Sequence, residues 1–402
     1  MKRILLTGGT GFVGGHLAYA LLQSGQSVVL LVRPAKTGEA LARVRRQFEH
    51  LDVYSGSRVS TAGDVEVVEG DIRERWLGLN GGVTNRALRA IDEVWHCAAL
   101  PSFDESRREE IESVNVLGCR NVIETAQACG IRRFHYTGTA YVAGAVSGTA
   151  FETSCTGNPF RNSYERTKCQ AELDLLDEAA AGRLDPTIYR LGIVVGHSRT
   201  GEATAFNGYY NLARAFYDMR RKRFAQLCRT AGVTGGGAPA EAGEVRLPVR
   251  IPCASGATLN LVTIDFVTRV LLELAGNSKS IGKIVHVTNT NPVNGRDLWR
   301  WSLDHLGITG YEFVESIAEM EDSLKSRPDA DRFEKAILRY LASYASYLGG
   351  EPKFDTTNAR LLGVDIRHRE LNRSLVARLM EYAVGVDFGR KKDAGDGREN
   401  RA

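Results

Sequence analysis

Apolar and polar positions follow two alternating periods along the first two hundred residues. Short apolar runs of strand length are separated, in most cases, by amphipathic segments of helical period. The apolar runs are "RILLT", "SVVLLV", "VEVVEG", "DEVWHCAA", "RRFHYTG" and "PTIYRLGIVVG". Strand and helix in repeated alternation predict an α/β fold, a doubly wound parallel sheet of the Rossmann type. Its ligand crevice is expected at the carboxyl ends of the strands.

The pattern loosens after residue 200, which predicts a second, smaller part of the chain. The Rossmann core is expected at residues 1–200, completed by the apolar helix and strand patterns of 258–290. Residues 201–257 and 291–387 are expected to form a mainly helical substrate-binding and lid region. A Gly/Ala/Pro-rich stretch at 231–245 reads as a loop, and residues 388–402 read as a disordered tail.

One apolar helix face near the end of the chain has two interpretations. Phe333, Ile337, Leu341 and Tyr344 recur at helical spacing. They could form a lid over the substrate entrance, or they could cover a sheet edge or a dimer contact. The sequence does not separate these alternatives.

Composition narrows the class of protein. With 43% hydrophobic and 25% charged residues among 402, and a net charge of +4, the chain resembles an ordinary globular protein without nucleic acid as a partner. It has no apolar run of membrane-spanning length and no signal-peptide pattern, so a cytoplasmic location is expected. The seven cysteines form no CxxC pair, so we expect reduced thiols and no metal site.

A glycine-rich turn after the first apolar run carries the first candidate chemistry. In "TGGTGFVGGHL", Gly8, Gly11 and Gly14 stand at GxxGxxG spacing between a strand and a helix. Glycine permits a tight turn and a close approach of the backbone to a pyrophosphate, and the helix N-terminus attracts its negative charge. The turn therefore predicts a dinucleotide site, with Thr10, Phe12 and Val13 as further contacts.

Residues at the ends of later strands indicate which dinucleotide binds. Arg33 follows the second strand, where NAD-specific folds usually carry an acidic residue. A cation there suits the 2′-phosphate of NADPH. Asp71, followed by Ile72, is expected to accept a hydrogen bond from the adenine amino group. Ala98 and Ala99 leave room for the adenosine half.

Tyr164 and Lys168 stand four residues apart in "NSYERTKCQAE". On a helix this spacing places both side chains on one face, where a phenol and an ammonium can share a site. The spacing alone is also compatible with an exposed polar helix.

Several motifs in order give the chain a family resemblance. GxxGxxG, "HCAA", "VNVLGCRNV", "YTGTAYVAG" and YxxxK together resemble the extended short-chain dehydrogenases/reductases. "LLVRP", "EGDIRERWLGL", "RLGIVVGHSRTGEA" and "LNLVTIDFV" are similar to the branch of thioester reductases and fatty acyl-CoA reductases, the "male sterility" NAD-binding group. The resemblance covers about residues 3–290.

The resemblance implies roles for individual residues. It makes Tyr164 the proton donor, Lys168 its partner and Thr139 the hydroxyl that holds the substrate oxygen. Asn115 matches a helix asparagine whose backbone helps to position a water near the lysine. An adjacent ammonium should lower the pKa of a tyrosine toward the working range. The nicotinamide is expected beside residues at the end of the sixth strand, namely Leu191, where the family often has proline, Gly192, Ile193 and Val194.

The expected function is NADPH-dependent reduction of an acyl thioester, carried on coenzyme A or a carrier protein, to an aldehyde or alcohol. Two alternatives stay open at this point. One is a dehydrogenase, epimerase or ketone reductase acting on a sugar nucleotide, sterol or similar compound. The other is an NADP-binding sensor without turnover, although such a sensor needs no proton donor. The expected assembly is a monomer or a homodimer.

Overall fold

The computed structural model describes residues 1–34, 40–56, 65–230, 243–325, 332–341, 344 and 347–390. The chain forms two compact units. The first unit comprises Met1–Val194, Val262–Thr290 and Pro352–His368. The second comprises Val195–Leu261, Asn291–Glu351 and Arg369–Ala402. The substrate-binding role expected for the later part of the chain stays a prediction.

Strands and helices alternate through the first unit and continue into the second. The strands are β1 Arg3–Thr7, β2 Ser27–Val32, β3 Val65–Glu69, β4 Glu93–His96, β5 Arg133–Thr139, β6 Thr149–Ala150, β7 Asp185–Leu191, β8 Ile193–Val195, β9 Val245–Arg246, β10 Arg250–Pro252, β11 Thr258–Leu259, β12 Leu261–Thr263, β13 Ile284–Val287, β14 Val293–Asn294, β15 Ile308–Thr309, β16 Glu312–Val314 and β17 Lys353–Phe354. The helices are α1 Phe12–Gln23, α2 Ala40–Ser55, α3 Arg108–Glu112, α4 Gly118–Ala128, α5 Ser163–Ala180, α6 Tyr209–Thr230, α7 Ile264–Ala275, α8 Gly295–His305, α9 Ile317–Lys325, α10 Arg332–Leu341, α11 Thr357–Leu361 and α12 Arg373–Gly385.

A seven-stranded parallel sheet forms the centre of the first unit. Its strand order is β13-β7-β5-β4-β1-β2-β3, and every neighbouring pair is parallel. All carboxyl ends therefore lie at one edge, and the order reverses at β1, which is where such sheets bind ligands. The predicted doubly wound α/β fold is confirmed.

Helices cover both faces of this sheet because its strands are apolar on both sides. Leu17 of α1, Phe48 of α2 and Val267 of α7 belong to the core on one face. Val122 of α4 and Leu175 of α5 belong to the core on the other. Each of these side chains is almost fully buried. The two cores hold the strand ends in a fixed frame for the site.

The second unit combines helices with short strand pairs. β10 pairs with β16, β11 with β14 and β9 with β15. Phe388 is 3% exposed and packs against Phe206 and Tyr217 of the same unit. The predicted tail boundary at residue 388 is therefore too early, because ordered packing reaches this side chain.

Several sequence predictions fall outside the described residues. They are residues 231–242 of the loop predicted at 231–245, residues 391–402 of the predicted tail and the side chain of Phe333. Within the described ranges, no helix is both long enough and apolar enough to cross a membrane.

Candidate active site

The glycine turn between β1 and α1 brings backbone segments into close contact. A Cβ atom at Gly8, whose φ is +78°, would lie 2.6 Å from the nitrogen of Ala98. A Cβ atom at Gly14 would lie 2.3 Å from the oxygen of Gly8. The amides in the first turn of a helix lack intrahelical acceptors, and α1 has no acidic side chain there. These residues fit the pyrophosphate of a dinucleotide.

The remaining members of the turn surround this helix N-terminus. Gly11 is the N-cap residue, and its amide donates to the oxygen of Gly8 at 2.9 Å. Thr10 is exposed, and Phe12 and Val13 are partly buried. The turn thus combines closely packed backbone with side chains that are exposed or partly buried.

Arginines surround the predicted adenosine end of the site. Arg33 is exposed after β2, and its carbonyl oxygen accepts a hydrogen bond from Arg43. The Asp71 carboxylate accepts from the Arg73 guanidinium, at 2.6 Å to Oδ2. This hydrogen bond is the largest cause of a lowered Asp71 pKa, to which the charge of Arg33 also contributes. The acceptors predicted for adenine are thus engaged by Arg73, which the sequence analysis missed.

The other residues predicted to contact the adenosine follow the carboxyl ends of β3 and β4. Ile72 is 6% exposed, and a Cβ atom at Gly118 would lie 2.7 Å from its Cδ1. Its carbonyl accepts a hydrogen bond from the side chain of Asn121 at 2.8 Å. Gly118 and Asn121 both belong to α4, so Ile72 packs against that helix. Ala98 and Ala99 are partly buried directly after β4.

Asn115 connects the segment after β4 to helix α5. It lies in a π-helical turn, Ser113–Leu117, a widened geometry that is frequent at functional sites. Its side-chain oxygen accepts from the amide of Leu100 at 2.8 Å, and its amide group donates to Thr167 at 3.1 Å. The side chain is therefore held in place, and a role of its backbone toward a water stays a prediction.

Local hydrogen bonds fix the start of α5. Asn162 is the N-cap, with its side-chain oxygen accepting from the amide of Glu165 at 3.0 Å. Glu105 accepts from both the amide and the hydroxyl of Ser163, each at 2.7 Å. The sequence analysis missed Glu105, because a contact across 58 residues leaves no local signal. These contacts set the position of Tyr164, the next residue.

The three predicted catalytic side chains lie near the carboxyl end of β5, namely Thr139, Tyr164 and Lys168. The Lys168 ammonium contacts strand β5 there. The side chain of Thr139, the last residue of β5, lies close enough to the Tyr164 phenol to lower its pKa. Lys168 is 3% exposed, and its Nζ donates to the oxygen of Thr137 at 2.8 Å. The same Nζ lies 4.2 Å from the ring centroid of Tyr136.

Burial controls the pKa of both groups on α5. It raises the pKa of Tyr164 to about 12, although the nearby side chain of Thr139 acts in the opposite direction. Burial lowers the pKa of Lys168 to about 8. The expected lowering of the tyrosine pKa by the ammonium is therefore not seen. In this structure the ammonium is bound to the carbonyl of Thr137 instead.

The end of β7 lies beside Thr139. Leu191 is its register partner in the sheet, and the amide of Gly192 donates to the oxygen of Val287 at 3.1 Å. Leu191 is buried, whereas Ile193 and Val194 are partly buried. Their backbone is therefore near the hydroxyl of Thr139, which is compatible with the predicted nicotinamide contact.

One cysteine prediction is wrong. Cys155 and Cys169 form a disulfide, with their Cα atoms 6.0 Å apart, whereas Cys97, Cys119, Cys129, Cys228 and Cys253 are free. The pairing was not apparent in the sequence because the partners are 14 residues apart and no short motif marks them. Over the described ranges, no group of three His, Cys, Asp or Glu side chains could hold a metal ion.

Comparison with protein families identifies the family of this chain. Residues 6–233 match the model of the family described as male sterility protein. This chain belongs to the male sterility protein family. As a member, it is an NAD(P)-binding oxidoreductase of the extended short-chain dehydrogenase/reductase type, and the resemblance inferred from the motifs is confirmed.

Similar curated proteins are mostly much longer than this family member, which spans only part of their length. It is 24% identical over 392 residues to one of the proteins of linear gramicidin synthase from Brevibacillus parabrevis, covering 94% of this chain and 7% of that protein. It is 31% identical over 194 residues to sterol demethylase protein B of Methylococcus capsulatus, covering 48% of this chain and 51% of that protein. Aldehyde reductase lnbA of Aspergillus flavus is 23% identical over 382 residues, covering 91% of this chain and 34% of that protein.

Solved structures share the fold of this male sterility family member. The terminal R domain from the myxalamid PKS-NRPS biosynthetic pathway superposes with a TM-score of 0.76 at 24% identity, covering 96% of this chain and 92% of that domain. A thiolation-reductase di-domain from an archaeal non-ribosomal peptide synthetase gives a TM-score of 0.69 at 18% identity, covering 96% of this chain and 76% of that one.

Proposed function

We propose that the chain is an NADPH-dependent reductase of an acyl thioester, carried on coenzyme A or a carrier protein, and that it forms an aldehyde or an alcohol. The observation that carries the proposal is that the Tyr164 phenol lies close to the side chain of Thr139 at the carboxyl edge of the sheet, in a member of the male sterility family. Two hydroxyls at this edge can meet the carbonyl oxygen of a substrate, where negative charge develops during reduction.

Each of these side chains has a task in the proposed reaction. NADPH, when bound, supplies the hydride for the carbonyl carbon. Thr139 donates a hydrogen bond to the substrate oxygen, and Tyr164 transfers its proton to that oxygen. The product is a hemithioacetal, whose C–S bond breaks to release a thiol and leave an aldehyde. A second round would reduce the aldehyde to the alcohol.

The pKa of Tyr164 suits an acid better than a base. At about 12 it keeps the phenol protonated at neutral pH, so a proton is available, but the phenolate left behind needs stabilisation. The Thr139 hydroxyl already favours that phenolate, and the ammonium of Lys168 would add to this effect. Lys168 would also donate to the ribose hydroxyls of the cofactor.

NADPH rather than NADH is proposed because the predicted adenosine end is rich in arginine. Arg33 is exposed after β2, and Arg43 and Arg73 lie in contact with Arg33 and Asp71, respectively. Guanidinium groups bind phosphate oxygens strongly. A 2′-phosphate would therefore be read chiefly by Arg33.

The names of the relatives support a thioester as the substrate. They include a linear gramicidin synthase and a di-domain named for thiolation and reduction. In the same proposal, residues 201–257 and 291–387 bind the acyl part of the substrate.

The test is incubation with NADPH and a panel of acyl-CoAs and acyl-phosphopantetheine thioesters, with sugar nucleotides and a sterol ketone as competing classes. We expect loss of NADPH absorbance together with an aldehyde that a hydrazine reagent traps, for thioesters only. Turnover of a sugar nucleotide without any thioester reduction would replace the proposal with its main alternative.

A further inference from the structure

Lys168 is in contact with two groups of strand β5. Its Nζ donates to the oxygen of Thr137 at 2.8 Å and lies 4.2 Å from the centre of the Tyr136 ring. Lys168 is 3% exposed and Tyr136 is fully buried. An ammonium so far from water loses its hydration, and one carbonyl satisfies only one of its three donors. The ring face is the second group that compensates for that loss.

The aromatic ring has the properties that a buried ammonium requires. The face of a phenol ring carries negative partial charge, and its attraction for a cation is strongest where water is excluded. The Tyr136 hydroxyl has no hydrogen-bond partner within the described part of the chain. Burial also raises the pKa of Tyr136 well above its usual range, so the hydroxyl stays neutral. The ring rather than the hydroxyl is therefore the part of Tyr136 in use.

The Tyr136 ring packs against a histidine of the neighbouring strand β4. It stacks on the imidazole of His96, with centroids 5.9 Å apart and planes inclined by 23°. The Nδ1 of His96 lies 2.7 Å from the hydroxyl of Thr7, the last residue before the glycine turn. Burial lowers the pKa of His96 to about 3, so this imidazole is neutral and does not repel the ammonium.

Other groups around Lys168 include one charged pair. Glu172, one turn further along α5, is fully buried, and its Oε2 accepts from Arg190 of β7 at 2.8 Å. A Cβ atom at Gly138 would lie 2.7 Å from Glu172 Oε1, so this carboxylate lies against β5. The titratable groups that act on Lys168 are Glu172 on α5, Cys119 on α4 and Cys97 after β4. Because Arg190 is paired with Glu172, the carboxylate compensates only part of the lysine charge.

We propose that Tyr136 is a positioning residue for Lys168. The face of the Tyr136 ring keeps the buried Lys168 ammonium charged and directed toward the cofactor site, and the Tyr136 hydroxyl takes no part. The inference rests on the role that the proposed function gives to Lys168. Loss of the Tyr136 ring should favour the neutral amine of Lys168, whatever the substrate of the protein is. A neutral amine would bind the ribose hydroxyls of the cofactor less well and would not stabilise the phenolate of Tyr164.

The test compares Tyr136→Phe, which keeps the ring, with Tyr136→Leu, which removes it. We measure the pH dependence of turnover and, independently of activity, the dissociation constant of NADPH by fluorescence titration at each pH. Tyr136→Phe should stay within about 2-fold of wild type throughout. Tyr136→Leu should move the alkaline loss of turnover and of NADPH affinity to lower pH by about one unit, which is about a 5-fold weaker binding near pH 8 and approaches about 10-fold at higher pH.

Phe134→Leu provides a matched control. Phe134 is equally buried and lies two residues earlier on the same face of β5. This substitution should cost a similar free energy of unfolding while leaving the alkaline pH dependence in place. A pH shift of the same size in Phe134→Leu would show that Tyr136 acts only through packing, and it would overturn the inference.

A second series covers the case in which Tyr136→Leu does not fold. Phenylalanines with one, two or three ring fluorines at position 136 keep the size of the ring while weakening its negative face. The alkaline loss of NADPH affinity should move stepwise to lower pH along the series. An unchanged pH dependence across the series, or a loss of turnover in Tyr136→Phe, would overturn the inference. If wild type binds NADPH but reduces no thioester, the proposed function fails, and the affinity series still tests Tyr136.

Discussion

At the residue scale, Thr139 at the end of β5 lies close to Tyr164 at the start of α5. The approach of the Tyr164 phenol to the Thr139 side chain depends on the length of β5 and on the N-terminal contacts of α5. Neither hydroxyl is part of the hydrophobic core. Their removal should therefore affect chemistry more than folding.

Replacing Tyr164 with Phe should remove the acid and leave the cofactor site intact, because the ring that packs near Phe103 is retained. Turnover should fall about 100-fold or more, as is usual for a general acid. Affinity for NADPH, measured by fluorescence titration, should hardly change. A variant with near-normal turnover would exclude Tyr164 from the mechanism.

Replacing Arg33 with Asp should reverse the preference between NADPH and NADH. The change removes a charge-assisted hydrogen bond to the 2′-phosphate and adds repulsion, whereas a carboxylate can accept from the 2′-hydroxyl of NADH. The ratio of kcat/KM values for the two cofactors should change about 10- to 100-fold.

Arg45→Asp is the matched control for this reversal, because Arg45 is an exposed arginine of α2 with the same change of charge. It should leave the ratio near that of wild type. An unchanged ratio in Arg33→Asp would indicate that the phosphate is read elsewhere. Arg43 and Arg73 are then the next candidates, together with Lys36, which lies outside the described residues.

Sequence spacing predicted part of this site and missed the rest for a physical reason. The helical period placed Tyr164 and Lys168 on one helix, and the glycine spacing located the turn after β1. The acceptor of Lys168 lies 31 residues away on β5, and side-chain direction across that distance depends on tertiary packing. The partners Asp71 and Arg73 are only two residues apart, so their local charge pattern could have been found.

At the element scale, the amino ends of β4 and β5 hold a buried polar cluster away from the proposed chemistry. The ring of His135 stacks on Trp95 with centroids 4.1 Å apart, and its Nδ1 lies 2.7 Å from the hydroxyl of Tyr189. Its Nε2 lies 3.8 Å from Glu93. Burial lowers the pKa of His135 to about 4, so the folded protein holds this imidazole neutral.

This lowered pKa makes stability depend on pH on the acidic side. The unfolded chain protonates His135 below its ordinary pKa of 6.5, whereas the folded chain does so only near 4. The free energy of unfolding should therefore fall as pH falls from 6.5 to 4. In His135→Phe, the slope of a urea-unfolding series across this range should be smaller by about one proton, or ~1.4 kcal/mol per pH unit. An equal slope in both proteins would contradict this account.

The disulfide joins the loop after β6 to helix α5. Cys155 and Cys169 enclose a short loop, with a sequence separation of 14. Closing a loop of this length restricts the unfolded chain and contributes about 3 kcal/mol. The double change Cys155→Ser and Cys169→Ser should lower the free energy of unfolding by about that amount under oxidising conditions.

A dithiol reductant should lower the stability of wild type and leave the double variant unchanged. Alkylation of unreduced, denatured wild type should label the five free cysteines alone. Labelling of all seven cysteines would show that the disulfide is not formed.

Secondary structure was predictable where an element is long and periodic. The apolar runs gave the strands of the central sheet, since strands buried on both faces are apolar throughout. The strand pairs of the second unit were not predicted, because strands of two or three residues are too short to show a period. The lid interpretation of Ile337 and Leu341 also stays a prediction, although both side chains are buried.

At the scale of the whole molecule, the two units are interleaved along the chain. Pro352–His368 returns to the first unit, where β17 pairs with β6. A truncation near residue 311 would therefore damage the first unit as well. Such a truncation cannot separate a lid from a structural cover, and a test of the lid requires changes confined to the second unit.

The central claim is that Tyr164, Thr139 and Lys168 serve the reduction of a thioester by NADPH. The most direct measurement follows NADPH consumed, free thiol released and aldehyde or alcohol formed in one reaction, with Tyr164→Phe in parallel. We predict one thiol for each NADPH if reduction stops at the aldehyde, or one thiol for every two NADPH if it continues to the alcohol, and almost none in the variant. Release of thiol without consumption of NADPH, or consumption of NADPH without release of thiol, would contradict the account.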